Sequence, residues 1–281
     1  MESILCLTDY KANSDQTFRF ALYLASRLSA KLFFVHIFEA PGQAVEERKE
    51  KPTDPPAETG KESQALELQR LQAFAKEHGG DQLSEIDIRY LVAGGSRRER
   101  IAELFQQYDL DLIVMGMRNR TGIADRLFGD LARKMIDKAP CPLLLIPPEA
   151  SFREIQHIVY ATDFGYHNLN AIESLLRWSE GLDAHLHLVH VSEDPEDNQW
   201  AETQMEKIKR TFEDENEENR MHFTVLEGEV QEGIEDFIEK AQSDVIALTT
   251  HTRGYWEKMM ASSLAKDLAE EVEIPLLVFR E

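Results

Sequence analysis

Ile4-Leu5-Cys6-Leu7-Thr8-Asp9-Tyr10 returns 154 residues later as Ile158-Val159-Tyr160-Ala161-Thr162-Asp163-Phe164. The same offset sets Ala30 against Ala184, Val35 against Val189, His36 against His190 and Glu39 against Glu193. Further along the offset becomes 133. There Gly95 meets Gly228, Glu99 meets Glu232, Ile101 meets Ile234, Asp111 meets Asp244, Leu131-Ala132 meets Leu264-Ala265, and Pro142-Leu143-Leu144 meets Pro275-Leu276-Leu277. Two registers, each kept over many positions, identify a tandem duplication whose second copy is 21 residues shorter in its middle. Domains over residues 1–148 and 153–281 follow.

Each copy alternates strand-like and helix-like patterns. Residues 1–7 form a short apolar run, and 14–28 carry Ala21, Leu24 and Leu28 at helical spacing. Residues 31–37 are almost continuously apolar, as a strand buried on both faces should be. Residues 41–60, with Pro52, Pro55 and Pro56 among charges, read as a surface loop. A helix over 63–79 stops at Gly79-Gly80. Strand 86–92, helix 98–108, strand 110–115, a polar loop, helix 130–138 and strand 143–146 complete the copy. The second repeats this over 155–279. Such alternation predicts an α/β fold with two repeated five-stranded parallel sheets, Rossmann-like and covered on both faces.

Composition narrows the function. Of 281 residues 52 are acidic and 31 basic, a net charge of −21. A phosphate backbone calls for the opposite sign, so a sequence-independent grip on nucleic acid is not expected. No apolar run approaches the ~20 residues of a membrane helix, and Met1–Asp9 lacks a basic leader. The expectation is a cytoplasmic chain with no membrane association. Cys6 and Cys141 read as two small buried hydrophobes, with a redox pair as the alternative.

Parallel sheets of this kind bind ligands beyond the carboxyl ends of their strands. Those ends carry Asp9, Ile37, Gly94-Gly95 and the stretch 116–129 in the first copy, and Asp163, Val191, Gly228 and the stretch 249–263 in the second. A glycine ending a strand lets backbone approach a ligand. A glycine opening a helix presents bare N–H groups to phosphate.

Met115-Gly116, Arg120-Thr121-Gly122-Ile123, Leu127-Phe128-Gly129 and the closing Ala139-Pro140-Cys141-Pro142-Leu143-Leu144-Leu145-Ile146 resemble the universal stress protein family, and the resemblance covers both halves. It implies an adenine nucleotide alpha hydrolase-like fold. In nucleotide-binding members it also implies a Gly-x2-Gly-x9-Gly-Ser/Thr motif after strand four and an aspartate after strand one. The candidate positions are therefore Asp9, Ile37, Gly116, Asn119, Gly129 and Asp130 in the first half. In the second they are Asp163, Val191, Thr249, Thr252, Ser262 and Ser263.

The motif is altered in both halves. Asn119 replaces the middle glycine, a place Asn tolerates. Asp130 stands where a hydroxyl meets phosphate, and there it repels an anion while capping the helix itself. The second half keeps no motif glycine, although Ser263 retains a hydroxyl.

Other features carry two readings each. His185 and His187 share a strand face and could ligate metal, with satisfied structural histidines as the plainer reading; no metal is expected. Gly254-Tyr255-Trp256 could grip a partner or cover a shrunken pocket. Arg97, Arg98, Arg100, Arg118, Arg120 and Arg126 could form an anion site or be solvated. The chain after Ala150 carries −18 of the net charge, much of it over 193–218, a polar helix and its approach. That region is either a solvated face or an acidic docking surface.

The functional expectation is a non-catalytic stress-response binding or signalling protein with degenerate nucleotide sites, needing no cofactor. The alternative is an ATP, ADP or AMP sensor through the first half, with Mg²⁺ and slow ATP hydrolysis as its enzymatic branch. Protein partners are expected, and the resemblance leaves room for a homodimer of chains. The resemblance further implies that 143–146 and 276–279 face each other across a pseudo-twofold axis, as an intrachain pseudo-dimer.

Overall fold

The computed structural model describes residues 1–11, 13–38, 57–117, 135–136, 139–164, 168–194, 196–213, 220–250 and 273–280. The chain divides into two compact units, Met1–Gly116 and Met117–Glu281.

In the first unit β1 (Ser3–Thr8), β2 (Lys31–Phe38), β3 (Ile88–Gly94) and β4 (Leu112–Gly116) lie in the order β3-β2-β1-β4, all parallel. Between them run α1 (Ser14–Arg27), α2 (Ala57–Gly79) and α3 (Arg97–Gln107). The sheet is apolar because both faces are covered: Ile4, Leu5, Cys6, Leu32, Phe34, Leu112, Ile113 and Val114 are fully buried. Helix α1 turns Phe18, Ala21, Leu22 and Leu24 inward, and α2 adds Leu71 and Ala75 one turn apart. Helix α2 begins six residues before the expected 63, so 57–60 are helical rather than loop. Propagating a formed helix is easy, and the Pro55-Pro56 pair in the sequence ahead bars further extension. The rest of the expected loop, and most of the helix expected over 130–138, fall outside the described residues, where only Met135 and Ile136 are seen as helical.

The second unit contains β5 (Leu143–Ile146), β6 (His157–Ala161), β7 (His185–Ser192), β8 (Met221–Glu227), β9 (Val245–Thr250) and β10 (Leu276–Arg280) in the order β5-β10-β9-β6-β7-β8. Its helices are α4 (Asn168–Leu182), α5 (Asn198–Thr211) and α6 (Val230–Ala241). Strands β10, β9, β6, β7 and β8 are parallel, whereas β5 joins β10 antiparallel with Leu276 opposite Leu145 and Val278 opposite Leu143. The closing strands of the two repeats therefore pair directly, as the pseudo-dimer expectation required. Helix α5, within the acidic stretch, is amphipathic: Ala201, Met205 and Ile208 are buried while its charges face solvent.

Matched residues do matched work. Asp111 Oδ2 accepts the Glu2 and Ser3 amides at 2.6 and 3.0 Å, and Asp244 Oδ2 accepts the Gln156 and His157 amides at 2.7 and 2.9 Å. In each repeat an aspartate before one strand thus anchors the start of another. Gly95 and Gly228 both sit at positive φ, 126° and 136°, where a side chain would be strained. Cys6 is buried, which pushes its thiol pKa well up, and Cys141 is half-buried; neither is in a disulfide.

Candidate functional site

Register brings the first half's strand-end residues to one edge. Thr8 pairs with His36 and Leu7 with Met115, so Asp9, Ile37 and Gly116 follow directly at the carboxyl ends of β1, β2 and β4. Asp9 is turned back onto its own loop: its Oδ1 accepts the Lys11 amide at 3.0 Å and the Ser14 hydroxyl at 3.4 Å. Ile37 is buried.

Beside Asp9 the chain fills the strand ends with its own aromatic rings. Tyr10, at φ 58°, stacks on His36 with centroids 4.3 Å apart. His36 Nδ1 lies 2.9 Å from the Thr8 carbonyl, and its Nε2 lies 3.7 Å from the Glu67 carboxylate. Burial holds His36 below the ordinary histidine range, against the opposing pull of the Thr8 carbonyl and Glu67. From α2, Arg70 lies 4.4 Å over the Tyr10 ring and Phe74 packs at 5.7 Å. Burial, then the Glu67 charge, pushes the Tyr10 phenol up.

The second half repeats this device with different parts. Phe164, at φ 60°, stacks on His190 at 4.4 Å, and His190 Nδ1 lies 2.8 Å from the Thr162 carbonyl. Trp200 of α5, half-exposed, stands edge-on to Phe164 at 5.5 Å in the place where the first half uses α2. Asp163 is exposed. Sequence reading nominated none of these rings, yet the repeat alignment pairs Tyr10 with Phe164 and His36 with His190. That pairing was the available signal.

Gly116 has a packing reason of its own. A Cβ there would fall 2.6 Å from Asn13 Oδ1 and 2.8 Å from Thr17 Oγ1, both from the start of α1. Its counterpart Thr249 keeps a side chain because the surroundings differ: the Tyr160 hydroxyl lies 2.8 Å from Thr249 Oγ1. Tyr160 is fully buried at the position where the first half has Cys6, and it pairs with Ala247 where Cys6 pairs with Val114. Val191 is buried and presses on Gly233, whose Cβ would lie 3.0 Å from Val191 Cγ1.

Asn119, Gly129, Asp130, Thr252, Ser262 and Ser263 lie outside the described residues, as do Gly254-Tyr255-Trp256 and Arg118, Arg120 and Arg126. Of the remaining arginines, Arg100 is committed to structure, donating through Nε to the Gly94 carbonyl at 3.0 Å and through Nη1 to Glu103 at 2.6 Å. His185 and His187 lie at the opposite, amino-terminal end of their strand from this site. Among the described residues no helix is long and apolar enough to cross a membrane.

Comparison with known proteins follows the same division. The model of the universal stress protein family matches residues 1–147 and again 154–280. A universal stress protein of Methanocaldococcus jannaschii is 25% identical over 148 residues, 52% of this chain and 81% of that protein. The crystal structure of a universal stress protein from Archaeoglobus fulgidus superposes with a TM-score of 0.68 at 16% identity, covering 99% of this chain and 98% of the other. The cytoplasmic domain of a prokaryotic cation chloride cotransporter shares the fold at a TM-score of 0.55 and 12% identity, covering 99% and 94%.

Proposed function

The chain belongs to the universal stress protein family, carrying the family module twice, and from that membership we propose that it is a non-catalytic stress-response protein whose change of state is association with a partner. One observation supports this reading above others: both sets of strand ends are furnished with the chain's own side chains. Tyr10 lies on His36 in the first half, and Phe164 on His190 in the second. Where the family's motif opens with glycine, Thr249 instead meets the Tyr160 hydroxyl. The packing of Asn13 and Thr17 on Gly116 accounts for that glycine without a nucleotide. Asp130, an acid at a phosphate position in the sequence, points the same way. A protein partner, or a second copy of the chain, is then the ligand.

A second reading has one observation in its favour. Register places Asp9, Ile37 and Gly116 side by side, as a sensor of ATP, ADP or AMP with Mg²⁺ would need. Identifying any nucleotide released when freshly purified protein is denatured separates the two. The proposal expects none from the unaltered chain, and expects Asp130→Ser to introduce nucleotide binding in the first half. Stoichiometric nucleotide from the unaltered chain would overturn it.

A further inference from the structure

Among the described residues three large apolar side chains stand exposed, Leu66, Leu169 and Trp200. Two of them share one region of the second unit. Leu169 lies in the first turn of α4 and Trp200 in the first turn of α5, the helices that leave β6 and β7 at their carboxyl ends. Single exposed apolar residues are ordinary on a protein surface. Trp200 is less so, because 51% of it faces solvent while Ala201, Met205 and Ile208 of the same helix are buried. It stands instead against Phe164, edge-on with centroids 5.5 Å apart, and Phe164 lies on His190.

The first unit shows what such a stack accepts. There Tyr10 holds the place of Phe164, lying on His36 as Phe164 lies on His190, and Arg70 of α2 is 4.4 Å over the Tyr10 ring. A guanidinium is flat and weakly hydrated, so it rests on an aromatic face more readily than an ammonium does. Among the described residues of the second unit no cation stands over Phe164 or Trp200. Both repeats keep the aromatic platform, and the second turns part of it to solvent.

The surroundings of Trp200 are acidic. Residues 193–202 contain five acids and no base: Glu193, Asp194, Glu196, Asp197 and Glu202, all exposed. Glu227, at the end of the neighbouring β8, accepts the Asn198 side-chain amide at 2.5 Å and brings a further carboxylate to the start of α5. The cations of α5, Lys207, Lys209 and Arg210, lie in its second half, where Arg210 pairs with Glu206 at 3.1 Å. Acids ahead of a helix complement its dipole. That accounts for their charge and not for an exposed indole among them.

We propose that Trp200, backed by Phe164, anchors a docking surface for an arginine-bearing basic segment of a partner protein. The surface rests on the reading of the chain as an associating protein, and it gives the partner its chemistry. An arginine of the segment lies on the exposed indole, as Arg70 lies on Tyr10. The carboxylates of 193–202 face its neighbouring basic side chains, steering approach and fixing register more than adding affinity. Tryptophan suits the centre of such a contact, since it offers a large rigid area at small cost in side-chain freedom.

The test titrates the full, nucleotide-stripped chain with a capped peptide of alternating arginine and glycine. Binding is followed by calorimetry and by the Trp200 indole N–H resonance, assigned by its loss in Trp200→Ala. One peptide per chain, a shift of that resonance and weaker binding of the matching lysine peptide are expected. Trp200→Ala should weaken the arginine peptide about tenfold, and Trp200→Phe less, because a ring face remains. The side chain is half-exposed, so both variants should fold, which circular dichroism checks. Glu193→Gln combined with Glu196→Gln should weaken binding at low salt and little at high salt. No peptide binding would overturn the proposal, as would equal binding of both peptides undiminished in Trp200→Ala. Loss of self-association in Trp200→Ala without peptide binding would also overturn it, making a second copy the occupant. ATP with Mg²⁺ is titrated alongside. A silent peptide with no ATP uptake removes this surface alone, whereas ATP uptake removes the association reading itself.

Discussion

The two repeats solve one packing problem in opposite ways. In the first half's central strands the side chains are small, Cys6 within β1 and Gly116 at the end of β4, and the start of α1 closes over Gly116 with Asn13 and Thr17. In the second half the strand itself supplies the bulk: Tyr160 replaces the cysteine, Ala247 stands where Val114 was, and the Thr249 and Tyr160 hydroxyls share a hydrogen bond. Duplication kept the backbone devices, namely the anchoring aspartates, the positive-φ glycines and the His–carbonyl contacts. It released the side chains that line the carboxyl ends of the strands. What the module needs in order to fold is thus separable from the side chains it carries along that edge.

The anchoring aspartates give the largest expected effect. Asp244 is buried with two amides and Arg153 on it, whereas Asp111 is exposed. Asp244→Ala removes a buried acceptor that holds two amides and Arg153, and should cost about 2 kcal/mol, against about 1 kcal/mol for Asp111→Ala. Because two units need not unfold together, urea titrations followed by hydrogen exchange should show each loss in its own unit. Equal losses would break the comparison.

Next comes Gly116→Ala, whose new methyl group meets Asn13 and Thr17 at under 3 Å. Overpacking of this kind should cost about 2 kcal/mol, and the added Asn13→Ala substitution should recover part of it. Tyr160→Phe removes a single hydrogen bond and should cost about 1 kcal/mol. Thr249→Val on that background should add little, because the partners are one pair.

The smallest effect is a pH dependence. His36 is held below its ordinary range by burial, so on acidification the unfolded chain takes up its proton first. Its contribution to stability is complete above about pH 6.5 and declines as pH falls below that value. His36→Gln should flatten the acid side of the first unit's stability profile, measured by thermal unfolding across pH. An unchanged slope would remove His36 from the account.

Much of this architecture was legible in the sequence because duplication writes each element twice. Strands and most helices followed from two offsets and apolar runs, whereas the pairing of 143–146 with 276–279 followed from the family resemblance. The start of α2 was hidden by its charged, proline-flanked beginning, where periodicity is weak. Asp9, Ile37 and Gly116 lie at the strand ends that the apolar runs mark out, but the aromatic rings beside them were passed over. A stacked Tyr or His leaves no spacing signal; only its recurrence at matched positions betrays it.

The central claim is that the strand ends act without nucleotide, and calorimetric titration of the nucleotide-stripped chain with ATP and Mg²⁺ tests it most directly. The account predicts no binding heat at any of several temperatures. Saturable binding at one site per chain would contradict it and turn the first half back into a nucleotide sensor.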